Sequence, residues 1–211
     1  MAIQEIKSKI NDNKQEKERK LLSTALHLFS EKGIKKTSIQ DIVHDAGIAK
    51  GTFYLYFKDK YDIRNHLIAH KASQVFEAAY LELQAHSEIT DFEEQILFVI
   101  DHILDQLDAN HNLVSLISKH LSWGFVKNSL IYPPGKDPPS ILTIFTTMLE
   151  NAAHTYSSPE LMMYMILEIV SGTSYNAILY QQPVPLEELK PHLYKTVKGI
   201  LESYRVDERE R

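Results

Sequence analysis

The sequence predicts an all-α protein. Three observations carry that expectation. Glycine is scarce, with 7 in 211 residues. Long segments repeat their apolar residues at helical spacing, and no run alternates convincingly with period two.

The helices follow in order. Residues 1–13 read as a frayed polar lead, followed by a helix from about Lys14 to Lys32 whose Leu22, Ala25 and Phe29 mark a buried face. Gly33 stops it, where a left-handed cap residue is wanted. Ser38 caps the next helix, with Asp41 three residues on as a capping-box acid. That helix turns Ile39, Ile42 and Val43 inward and ends at Gly47. A short helix from Lys50 to Phe57 comes next, and Asp59 then caps a long one carrying Ile63, Leu67, Ala72, Val75 and Ala79 towards His86. Further helices are expected at about 91–109, 112–127, 139–155, 159–181 and 187–204. The stretch Tyr132–Ser140 holds four of the eight prolines plus Gly135, so it is a loop, and Val184 between Pro183 and Pro185 marks another break.

Composition narrows the function classes. The chain has no cysteine, which excludes disulfides, thiolate metal sites and cysteine nucleophiles. The longest uncharged stretch, Ile169–Leu186, contains Ser, Thr, Asn, two Gln and two Pro and is no membrane span. The start of the sequence has no apolar core of signal-peptide type, so a cytoplasmic protein without membrane contact is expected. The net charge of −5 hides a split: residues 1–60 carry 12 basic and 8 acidic side chains, net +4, and residues 61–211 carry 11 and 20, net −9. A basic head on an acidic body allows the head alone to meet phosphate.

The informative segment runs from Thr37 to Lys60. Two short helices flank a tight turn at Asp45–Ala49, and Ile42, Ala46, Ile48 and Phe53 can clamp them together. That is a helix-turn-helix pattern. The second helix opens with Lys50, Gly51 and Thr52, which combine charge, close backbone approach and a short hydrogen-bonding side chain at a major groove. Tyr54 and Tyr56 can give hydroxyls to phosphate, and Lys58 and Lys60 add charge. The competing reading is a plain helical hairpin with tyrosines in its core. Phe53 and Phe57 are expected in the core under either reading.

From Arg19 to Leu67 the sequence resembles the TetR family of bacterial regulators. The matching pieces are Leu22, Ala25, Phe29 and Gly33 at fixed spacing, then Thr37-Ser38, Ile42, Ala46-Gly47-Ile48, Lys50-Gly51-Thr52-Phe53-Tyr54, Tyr56-Phe57 and Lys60. The resemblance implies that Thr37 and Ser38 meet phosphate, that Lys50, Gly51 and Thr52 face base edges and backbone in the groove, that Tyr54 and Tyr56 hold the DNA backbone, and that Lys60 makes another phosphate contact. One departure is Ala49, where the family often has Ser or Thr; the lost hydroxyl cap costs on the order of 1 kcal/mol.

Other candidates are less specific. His66 and His70 share a helix face and could hold a metal, yet the glutamate of a zinc protease motif is missing between them, and no metal or other cofactor is expected. Trp123, Phe125, Phe145, Tyr164, Glu168 and Tyr175 either line an effector pocket or pack in the core. The segment Leu161–Tyr180 is apolar around most of its circumference and must bury two faces. With the last helix it offers a dimer interface through Met162, Met165, Ile169, Leu193, Val197 and Ile200, or else both helices pack inside one protomer.

Together these readings give an N-terminal helix-turn-helix domain at 1–60 and a helical effector-binding and dimerisation domain at 61–211. The expected function is a homodimeric regulator, a repressor by resemblance, that binds a double-stranded operator and is released by a small molecule of unknown identity. No residue set has the spacing of catalytic machinery, so an enzyme is not expected. The alternative is a helical protein-interaction module that does not bind DNA.

Overall fold

A computed structural model describes residues 2–111, 113–114 and 141–206, with side chains from Asn13 on, Ile141 apart. The expected helix at 112–127, residues 113–114 apart, and the proline loop at 132–140 lie outside these residues, as do Trp123 and Phe125. The chain divides into two compact units, Met1–Ile68 and Ala69–Arg211. The first unit therefore ends eight residues beyond the boundary expected at 60.

The first unit is built on α1 (Ala2–Lys36), α2 (Ile39–Ala46), α3 (Lys50–Phe53) and the start of α4 (Lys60–Ala85). Helix α1 begins at Ala2 rather than near Lys14, since neither proline nor glycine interrupts the sequence before Gly33. Its buried stripe is Leu21, Ala25, Leu28 and Phe29, with Leu22 at the half-buried edge instead of the centre. Gly33, at φ 78° and ψ 159°, breaks the helix in a backbone region open essentially to glycine alone.

Both caps expected for α2 are formed. The Ser38 hydroxyl oxygen accepts the Asp41 N–H at 3.1 Å, and the Asp41 carboxylate accepts the Ser38 N–H at 2.9 Å. Lys32 adds a contact to the same carboxylate oxygen at 3.0 Å. The backbone bond from Ser38, then the bond from Lys32, hold the Asp41 carboxyl down at about 2. Gly47, at φ 62° and ψ 38°, closes the helix by giving its N–H to the carbonyls of Val43 and His44.

Beyond Phe53 the chain keeps turning helically. Leu55 N–H bonds the Thr52 carbonyl at 3.1 Å, and the N–H groups of Tyr56 and Phe57 bond the Phe53 carbonyl at 3.0 Å. Asp59 then caps α4, accepting the N–H groups of Tyr61 and Asp62 at 2.7 and 2.9 Å. Ile42, Ala46, Phe53, Phe57 and Ile63 are all at most 1% exposed and form the centre of the unit.

The second unit holds the rest of α4, α5 (Phe92–Asp108), α6 (Ile141–Glu150), α7 (Pro159–Tyr180) and α8 (Leu186–Tyr204). Helices α7 and α8 run along each other, and α5 packs against α6, α7 and α8. Lys190 of α8 ties them: its ammonium lies 3.0 Å from Asp101, 3.4 Å from Glu187 and in contact with Asp105, while the Tyr194 hydroxyl bonds Asp101. Burial opposes the Lys190 charge, but the bonds to Asp105 and Asp101 outweigh it and raise its affinity for the proton. Among the described residues the β-structure is one isolated bridge, Tyr156 to Arg205.

Three residues expected at a dimer interface belong to this core instead. Met162 and Val197 are 0% exposed and Leu193 is 3% exposed within the single chain. They fill the space inside the protomer, so a partner cannot reach them. Met165 is 40% exposed, and Ile169 and Ile200 are half-buried.

Candidate nucleic-acid interface and effector cavity

The turn from α2 into α3 exposes a short row of side chains. Phe53 and Phe57 point down into the unit, with ring centroids 5.5 Å apart. At about 100° per residue, positions 51 and 55 lie on the opposite, outer side. Gly51 and Leu55 are exposed, Leu55 at 78%, with Lys50 exposed and Thr52 half-buried beside them. Leu55 was not singled out in the sequence; its position two residues from each buried Phe was the signal.

Gly51 is a glycine that the fold does not ask for. A Cβ built on it meets nothing within 4 Å, and its φ is not positive. Glycine in a helix costs about 0.5–1 kcal/mol relative to alanine. Ala49 occupies the N-cap position and makes no side-chain cap bond, as its methyl group dictates. Tyr54 is 52% exposed and packs edge-on against Phe53 at 5.5 Å. Tyr56 is half-buried, its ring 6.2 Å from Phe57. Burial, then the Glu18 carboxylate, pushes its phenol up, so it stays a neutral O–H donor.

Two residues expected at phosphate are used inside the chain. Thr37 is 1% exposed, and its hydroxyl is directed at the carbonyls of Gly33 at 2.9 Å and Leu28 at 3.4 Å. Lys60 donates to the carbonyls of Ile34 at 3.0 Å and of Lys35 and Thr37 at 3.2 Å. An ammonium has three donors, and all three are directed at the carbonyl end of α1. Ser38 remains exposed; its oxygen serves the α2 cap and its O–H can still be given outward.

The paired histidines also have local roles. His66 stands edge-on to Phe57 at 5.1 Å and 3.9 Å from Asp62, and burial lowers its proton affinity. His70 lies 3.4 Å from Gln74. Among the described residues no group of three or more His, Asp or Glu could hold a metal.

The second unit contains an apolar cavity. Its walls are Phe76 of α4, Ile96, Val99, Ile100, Ile103 and Leu107 of α5, Ile144, Phe145 and Met148 of α6, and Met163, Ile166, Leu167, Val170, Ser171 and Ser174 of α7. Among the described residues the polar walls are the two serines, and their hydroxyls donate within α7, Ser174 to Val170 at 2.6 Å and Ser171 to Glu168 at 3.4 Å. Of the residues expected in a pocket, Phe145 lines it. Tyr164, Glu168 and Tyr175 do not, because the face of α7 turned to the cavity carries positions 163, 166, 167, 170, 171 and 174. Tyr175 instead packs on Tyr180 with centroids 6.0 Å apart.

Residues 21–67 match the family model of bacterial regulatory proteins, tetR family. The fatty acid metabolism regulator protein of Bacillus subtilis is 31% identical over 100 residues, 47% of this chain and 50% of that protein. The HTH-type transcriptional regulator AcrR of Shigella flexneri is 36% identical over 77 residues, 36% of this chain and 35% of that protein. The chain thus spans half or less of the length of these curated relatives. Among solved structures, the transcriptional regulator FadR of B. subtilis, in complex with stearoyl-CoA, superposes with a TM-score of 0.59 at 22% identity, covering 85% of this chain and 96% of that one. A tetR-family structure from a Shewanella species reaches 0.60 at 18% identity, covering 90% and 99%. The helix-turn-helix thus lies inside a segment that matches bacterial regulatory proteins of the tetR family, and the chain shares a helical fold with solved structures along most of its length.

Proposed function

We propose that this chain is a DNA-binding transcriptional regulator, a repressor rather than an enzyme, that grips a pseudo-palindromic operator as a homodimer and releases it when an apolar small molecule enters the second unit. Gly51 carries the reading. A helical glycine with open space around it and no positive φ weakens its own chain, and the reason for it lies outside the fold: a backbone that must come close to a ligand. Lys50, Thr52 and Tyr54 flank that point in the chain with donors suited to base edges and phosphate, and the exposed Ser38 at the start of α2 offers another. Domain roles follow the same division, with DNA contacted by the unit ending at Ile68 and the effector held by the unit beginning at Ala69.

The effector reading rests on the chemistry of the cavity walls. A ligand there meets hydrocarbon and two serines whose hydroxyls are already donated within α7, so the part it buries is uncharged and makes little demand for hydrogen bonds. A long acyl chain fits that chemistry, and a relative of the same fold is known in complex with stearoyl-CoA.

The dimer reading rests on the outer side of α7 and α8. Leu161 and Tyr180 are 49% and 58% exposed, Met165 stands between them, and Gly172, Thr173, Thr196, Gly199 and Ser203 are exposed small residues over which a second helix pair can approach closely.

Three measurements test these readings. Gly51→Ala is expected to raise stability by about 0.5 kcal/mol while weakening duplex binding about tenfold; equal or tighter binding by the variant would remove the argument. Stearoyl-CoA is expected to release wild-type protein from its operator in a mobility-shift titration, and Val170→Trp, which fills the cavity, should bind operator normally but resist release. Unchanged release of Val170→Trp would place the ligand elsewhere. Met165→Arg should sediment as a monomer where the wild type sediments as a dimer, and a dimeric variant would clear this face of the role.

A further inference from the structure

The proposed DNA-binding surface contains one side chain that hydrogen bonding does not explain. Leu55 is 78% exposed, more than any other large apolar residue described. It lies one helical turn past Gly51 and three residues past Thr52, on the side turned away from Phe53 and Phe57. At that exposure most of the leucine's apolar surface stays in water, which is unfavourable. Thr52, three residues before it on the same side, is polar.

The bulky apolar group that a major groove offers is the C5-methyl of thymine, set among hydrogen-bond donors and acceptors. We infer that Leu55 reads a thymine methyl within each half-site of the operator. Gly51 brings the backbone close, Thr52 supplies the hydrogen-bonding partner, and Leu55 one turn further along meets the methyl. The inference rests on the DNA-binding reading and extends it to base identity: a thymine is required at the position Leu55 covers, and the discrimination is apolar.

The test uses the full chain and duplexes selected with it from a randomised pool. Each thymine of the selected site is then replaced by uracil, which removes the methyl alone. For wild-type protein, one uracil position per half-site should cost about three- to tenfold in affinity, the yield of desolvating one methyl-sized contact. Leu55→Ala should lose a similar factor on the thymine duplex and nothing further on the uracil duplex, while Leu55→Met keeps the thymine preference. Thermal melting of both variants should match wild type, since the side chain is exposed. Absence of any uracil effect, or a uracil effect of the same size in Leu55→Ala, overturns the inference. Failure of the pool to yield any preferred sequence would instead sink the DNA-binding reading on which it rests.

Discussion

The burial of Phe53 and Phe57 one turn apart sets what the first unit can present. Both rings are at most 1% exposed, and they fix the rotation of the short helical segment between Lys50 and Phe57 about its own axis. With that rotation fixed, the outward positions are 51, 55 and their neighbours, and no freedom remains to hide Leu55. A segment with only four residues in regular α-helix has little stability of its own. Its geometry comes from the core beneath it and from the turn at Gly47, whose left-handed backbone reverses the chain between the two helices.

Lys60 completes the same assembly from the other side. Its ammonium gathers three carbonyls from Ile34, Lys35 and Thr37, where Gly33 has broken α1. Carbonyls at a helix end carry partial negative charge, and a cation placed among them is favourable. The lysine thus joins the start of α4 to the end of α1, and Thr37 closes the same corner with its buried hydroxyl. Motif position and chemistry alone suggest phosphate for both residues. The structure turns them inward because the broken end of α1 presents carbonyls to them, of which that of Ile34 also accepts the Thr37 N–H at 3.3 Å.

Much of this was legible in the sequence, and the reasons differ by element. Gly33, Ser38, Asp41, Gly47 and Asp59 are local signals: each cap or stop depends on residues within four positions, so pattern is enough to find it. The described helices of the second unit followed from periodicity, although α6 ends at Glu150 rather than near 155. The roles of Thr37 and Lys60 did not, because they depend on contacts as much as 26 residues apart in the chain. The cavity was also missed in large part. Tyr164, Glu168 and Tyr175 drew attention as polar or aromatic residues on α7, whereas the walls are plain aliphatics whose spacing marks them only as core. For the same reason Met162, Leu193 and Val197 could not be told from interface residues: burial by a partner and burial by one's own chain leave the same sequence pattern.

The most direct test of an inward-built head with an outward reading face is Lys60→Met, examined for stability and for the salt dependence of duplex binding together. Lys60 as an internal tie predicts a loss of about 1–2 kcal/mol in stability, with the slope of log affinity against log salt unchanged. A slope smaller in magnitude by about 1, with melting unaltered, would return Lys60 to the phosphate backbone and contradict the arrangement described.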